Sequence, residues 1–128
     1  MSSSTEGLIE REQLNEQTHS KILVKTDGSV DFCTAPIGTL LGTDKWKYWR
    51  LAGGDLCVAF IVDSENLQYN MFWERLRYKI GHKELVPRLR GDFVVCKYKR
   101  SVSITAVSDL QLQIFNFLMQ HYVNVPSH

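Results

Sequence analysis

KILVKTDGSVDFCTA, residues 21–35, sets two β-prone runs on either side of Asp27-Gly28. An Asp-Gly pair accepts the left-handed backbone of a two-residue type I′ turn, so its flanks pair as an antiparallel hairpin. A tight turn there places Leu23 against Phe32 on one face and Ile22 against Cys33 on the other. A second hairpin of the same design follows. WRLA (49–52) and DLCVAFIVD (55–63) flank Gly53-Gly54, which sets Leu51 against Leu56, Trp49 against Val58 and Lys47 near Phe60. A helix over 44–52, capped by Thr43, is the rival reading. The aromatics and the Gly-Gly pair favour the strand.

Outward from the hairpins, PIGTLLGTD (36–44) is punctuated by Pro36, Gly38 and Gly42 and reads as a loop. After Asp63 or Ser64 as an N-cap, Tyr69, Phe72, Trp73, Leu76 and Ile80 form one apolar helical stripe that Gly81 stops. HKELVPRLRGD (82–92) is a connection. DFVVCKYKRSVSITAV (92–107) is strand-like but long for one strand, so a bulge or turn is expected near Arg100-Ser101. Ser108 then caps a last helix carrying Leu110, Ile114, Phe117, Leu118 and His121. The order ββββαβα predicts an α+β domain over 21–128, a mainly antiparallel sheet with both helices on one face and the fifth strand split. Residues 1–20 read as a flexible acidic tail, in which Leu8, Ile9 and Leu14 could support a short helix.

Several function classes find no support in the residues. The histidines (His19, His82, His121, His128) sit beside no nucleophile at a catalytic spacing, and no phosphate-loop, Gly-x-Ser-x-Gly, Cys-x-x-Cys or His-Glu-x-x-His motif occurs. The expectation is a non-enzyme with neither cofactor nor metal; an enzyme without a linear motif is the third reading. Cys33, Cys57 and Cys96 lie far apart, each in an apolar stretch, and read as free buried thiols of a reducing compartment. No run reaches the roughly 18 apolar residues of a membrane span. A soluble protein of the cytoplasm or nucleus is expected.

The net charge of +1 conceals an asymmetry. Residues 1–20 carry four glutamates against Arg11, whereas residues 65–100 carry nine Lys or Arg against four acids. The basic residues interleave with aromatics in KWKYWR (45–50), RLRYK (75–79), RLR (88–90) and KYKR (97–100). Cations that neutralise phosphate, beside rings on which bases stack, are what a sequence-tolerant single-strand binder uses. The candidate nucleic-acid contacts are Lys45, Lys47, Trp49, Arg75, Lys79, Arg88, Arg90, Lys97, Lys99 and Arg100. The competing reading is an adaptor whose basic face meets an acidic protein. The last helix, LQLQIFNFLMQHYV, is apolar nearly all round, so Leu112, Phe115 and Met119 are candidates for a homodimer seam.

Overall fold

Five strands form one antiparallel sheet in the order β2-β1-β5-β4-β3. They are β1 (Lys21–Val24), β2 (Val30–Cys33), β3 (Trp46–Arg50), β4 (Leu56–Ile61) and β5 (Phe93–Lys97). The two hairpins predicted from sequence are both present, and β5 slots between them, pairing with β1 and with β4. The helices are α1 (Ile37–Leu41), α2 (Met71–Lys79) and α3 (Val107–Leu118). This computed structural model describes residues 11–16, 18–51, 56–81, 83–98 and 100–124.

β1, β4 and β5 read KILV, LCVAFI and FVVCK, near-continuous apolar runs rather than alternating ones. Such runs belong to strands covered on both faces. On one face Ile22, Val24, Val58, Phe93 and Val95 meet α2 and α3 through Phe72, Trp73, Leu76, Leu110, Ile114 and Phe117. Both long helices thus lie on one side, as predicted. On the other face Leu23, Cys57, Ala59, Val94 and Cys96 meet Ile37 and Leu41 of α1, Trp46 and Leu14. This second layer was not foreseen, for two reasons.

First, residues 36–44 are not simply a loop. Pro36 precedes the first turn of α1, and Gly42 closes it with φ 72°, the left-handed C-terminal position that glycine suits. Five residues do not hold a helix alone, so burial of Ile37 and Leu41 must hold this one. Second, the described part of the N-terminal tail is docked. Residues 11–14 are helical, and Leu14 is only 1% exposed. The packed domain therefore begins before residue 21. Leu8 and Ile9 lie outside the described residues.

The β3–β4 register is the predicted one: Trp49 opposes Val58 and Lys47 opposes Phe60, and the Leu51 N–H donates to the Leu56 carbonyl at 2.7 Å. The Gly53-Gly54 turn itself lies outside the described residues. The β1–β2 register is one residue off. Ile22 opposes Phe32, Leu23 opposes Asp31 and Val24 opposes Val30. The Gly28 N–H donates to the Lys25 carbonyl at 2.9 Å, the Lys25 N–H to the Ser29 carbonyl at 2.8 Å, and Gly28 has φ 93°. The loop is therefore a three-residue type I turn closed by a glycine bulge. A one-residue slip exchanges the faces: Phe32 moves to the helix side of an edge strand and is 56% exposed.

Three boundaries also move. α2 starts at Met71, capped by Asn70, whose side chain accepts from the Trp73 N–H at 3.1 Å, and not at Asp63 or Ser64. β5 ends at Lys97, and the chain through 100–105 is irregular, so there is no second half-strand among the described residues. α3 begins at Val107 after Ala106, without a side-chain cap, and not after Ser108.

Candidate nucleic-acid interface

The segment KWKYWR does not offer its aromatics to solvent as a row. Trp46 is buried against the α1 face with the Arg11 guanidinium 3.6 Å from its ring centroid. Trp49 points the other way and is half-buried. Its ring lies 4.2 Å from Phe60, 5.8 Å from Trp73 and 6.4 Å from Phe117. Diagonal cross-strand placement brings Trp49 and Phe60 together, because each is paired with the residue two along from the other, Val58 and Lys47. Lys45 and Lys47 are exposed, and Lys47 shares the face of Trp49 and stands opposite Phe60.

Beside Trp49 and Phe60 opens a cleft of about 410 Å3, closed on its far side by Tyr69, Pro87, Arg88 and Arg90. This wall is built by a short antiparallel contact. Tyr69 bridges Arg90, the Asn70 N–H donates to the Leu89 carbonyl at 2.7 Å, and the Gly91 N–H donates to the Gln68 carbonyl at 2.8 Å. Asn70 fixes the assembly with its amide, donating to the carbonyls of Gly91 (2.9 Å) and Lys25 (3.2 Å). Trp73 anchors the connection from below, its indole N–H donating to the Pro87 carbonyl at 2.9 Å.

The two arginines of the wall are held differently. Arg90 donates to the Leu67 carbonyl at 2.9 Å, the Glu65 carbonyl at 3.2 Å and the Tyr69 hydroxyl at 2.9 Å. Its charge meets only neutral acceptors. Arg88 donates through Nε to Glu74 at 2.5 Å and stacks 3.3 Å from the Tyr69 ring centroid. Glu74 also accepts from Arg77 Nη1 at 2.8 Å. Burial alone would push the Glu74 carboxyl up, but the hydrogen bonds from Arg88 and Arg77 outweigh it and hold the group below the usual carboxylate range. Two guanidinium groups therefore share one buried carboxylate, and the cluster stays cationic.

The structure brings four of the ten nominated residues together: Trp49, Arg88 and Arg90 line the cleft, and Lys47 stands at its rim. The others lie elsewhere. Arg75 lies against the β1–β2 turn, where a side chain on Gly28 would come within 3.1 Å of its Nη1. It is about 200° round α2 from Trp73, and Lys79 shares its flank. Lys97 sits at the opposite end of the sheet and donates to the Ser103 hydroxyl at 3.1 Å. Arg100 is exposed beyond it, Lys45 lies on the chain entering β3, and Lys99 lies outside the described residues. The expected single basic face is thus several separate patches. Of the seam candidates, Leu112 is 58% exposed, whereas Phe115 and Met119 are half-buried against the chain's own core.

Sequence reading assigned Phe60 to an apolar run and Tyr69 to a helix stripe, and counted Glu74 only among the four acids of residues 65–100. The usable signal for Glu74 was its position among Arg75, Arg77, Arg88 and Arg90, since a lone carboxylate in basic surroundings becomes their common acceptor.

A second constellation lies across the sheet on the α1 side. Lys21 opposes Cys33, Cys57 opposes Cys96, and Arg50 opposes Cys57. One step beyond the Ile22–Val95 pair, the same register puts Lys21 beside Cys96. All three cysteines, distant in sequence, thus share one row with a lysine and an arginine. Lys21 is fully buried, and its Nζ donates to the carbonyls of Glu16, His19 (3.1 Å) and Thr34 (3.4 Å). Burial lowers its pKa, against the pull of Cys96 and Glu16. Burial also pushes the Cys57 thiol up and, with Cys57 beside it, the Cys96 thiol up to about 12. Both are protonated at neutral pH and are poor nucleophiles. Among the described residues no three His, Cys, Asp or Glu side chains gather as a metal site requires, and no helix is long and apolar enough to cross a membrane.

Comparison with models of known protein families, with curated proteins and with solved structures gives no match.

Proposed function

We propose that the protein is a non-catalytic binder of single-stranded nucleic acid, with the cleft between β3–β4 and residues 87–90 as its contact. One observation carries this reading. Trp49, Arg88 and Arg90, distant in the chain and each nominated for its chemistry, line one open cleft with Phe60 and Tyr69. Rings for stacking and guanidinium groups for phosphate are what a single strand needs, and a stack on an aromatic ring contributes about 1–3 kcal/mol per base. No His, Cys, Asp or Glu lines the cleft among the described residues, which favours binding over acid–base chemistry. The patchwork of cations favours a short contact over a long groove.

The adaptor reading is supported by Leu112, exposed on α3. The homodimer seam has weaker support, because Phe115 and Met119 already pack within the chain.

The test is binding of a short single-stranded oligonucleotide as a function of salt. With Lys47, Arg88 and Arg90 engaged, log affinity should fall against log salt with a slope of about −2, at roughly −0.7 per neutralised phosphate. Absence of binding at low salt would defeat the proposal.

A further inference from the structure

Resting on that reading, we infer that the cleft is a subsite for one nucleoside 5′-monophosphate unit, its base against Trp49 and Phe60 and its phosphate on Arg88. The first support is the way Arg88 is presented. Glu74 takes Nε, Tyr69 holds the plane of the guanidinium, and no described residue takes Nη1 or Nη2. A guanidinium fixed on one edge offers its other edge as a two-pronged donor, the geometry that matches a phosphate. Arg90, whose charge is met only by neutral groups, lies 4.1 Å from the same ring centroid and adds a second positive charge.

The second support is size. A volume of about 410 Å3 falls within the roughly 300–1,000 Å3 of small-molecule sites. It suits one nucleotide and is too small for a duplex.

The third support is what surrounds the cleft. Beyond Lys47 and Lys45 on the β3 side, no track of cations leads out of it among the described residues. Arg75 and Lys79 lie on the other flank of α2, and Lys97 and Arg100 lie at the far end of the sheet. A strand threading through would carry single-charged phosphates past a paired-arginine site and find only two lysines beyond it. A terminal phosphate carries up to two charges at neutral pH and matches the two arginines better. Two sources share this chemistry, a free nucleoside 5′-monophosphate and the 5′-phosphorylated end of a strand.

Affinities of the full chain are to be measured for two otherwise identical short single strands, one with a 5′-phosphate and one with a 5′-hydroxyl, and for adenosine 5′-monophosphate against adenosine. The phosphorylated strand should bind about tenfold tighter or more, the scale of charge-assisted hydrogen bonds. Adenosine 5′-monophosphate should compete with it and adenosine should not. A strand that outcompetes the free nucleotide by far identifies the strand end as the source; equal competition identifies the free nucleotide. Arg88→Gln should abolish the phosphate preference, so that the two strands bind equally and more weakly than the parent binds the phosphorylated one. Arg88→Lys, which keeps the charge but not the fork, should retain part of it, and circular dichroism checks that both variants fold. Equal binding of the two strands by the parent protein would overturn the subsite and leave the proposed function standing. Failure of both strands to bind would overturn both.

Discussion

The two faces of the sheet hold a cation in opposite ways. On the α1 side Lys21 spends all three of its donors on backbone carbonyls. It is wholly enclosed, and nothing outside can reach its charge. On the α2–α3 side Arg88 gives one edge to Glu74 and keeps the other at an open cleft. The first is a structural peg, and the second is a receptor held in place by its neighbours. Basic residues in a sequence therefore do not count equally toward a binding surface. What distinguishes them is how many donors the fold itself consumes.

The comparison predicts a hierarchy of stability effects. Trp73→Ala removes a fully buried ring that supports both Phe93 and the Pro87 carbonyl. It should cost about 3–5 kcal/mol in urea melts, the usual range for a core aromatic. Leu14→Ala tests the other face. A docked Leu14 should cost about 2–5 kcal/mol on truncation, whereas a loose tail would give no change. Lys21→Met should cost about 1–3 kcal/mol, because it leaves three carbonyls without their donor. A stabilising result would mean that burying the ammonium outweighs its three hydrogen bonds.

The smallest expected effect concerns Glu74 and acid. Its carboxyl is depressed in the folded protein. The stabilisation it provides is therefore full above the ordinary carboxylate range and is lost as pH falls below about 4.5 through the lowered folded value. Glu74→Gln should flatten the fall in melting temperature below about pH 4.5. An unchanged acid limb would show that other carboxylates govern it.

How much of this was legible depended on whether the deciding contact was local. The β3–β4 register could be read because the two runs are spaced symmetrically about Gly53-Gly54 in the sequence, which predicts the observed pairing of Trp49 with Val58. The β1–β2 register could not, because Asp27-Gly28 suits both a type I′ turn and a glycine bulge, and these differ by one residue. Asn70 was passed over because Asp63 and Ser64 are equally good caps nearer the preceding strand. What moves the helix start to Met71 is the pairing of Tyr69 with Arg90, a long-range contact. α1 was hidden behind Pro36, Gly38 and Gly42, since its stability comes from the sheet beneath it. For the site, residue type was enough to nominate Trp49, Arg88 and Arg90. Their convergence, and the dispersal of Arg75, Lys79 and Lys97, follow from β5 entering between two hairpins, which no local pattern states.

The most direct test of the account is a residue-resolved NMR titration of the full chain with a short 5′-phosphorylated single strand at low salt. The account predicts shifts at the Trp49 indole N–H, the Arg88 and Arg90 side chains, and the backbone of Lys47, Phe60 and Tyr69, with Trp46, Lys21 and residues 37–41 unmoved. Shifts centred on Arg11 and Trp46, or on Leu112 and its neighbours, would place the contact on another surface and contradict it.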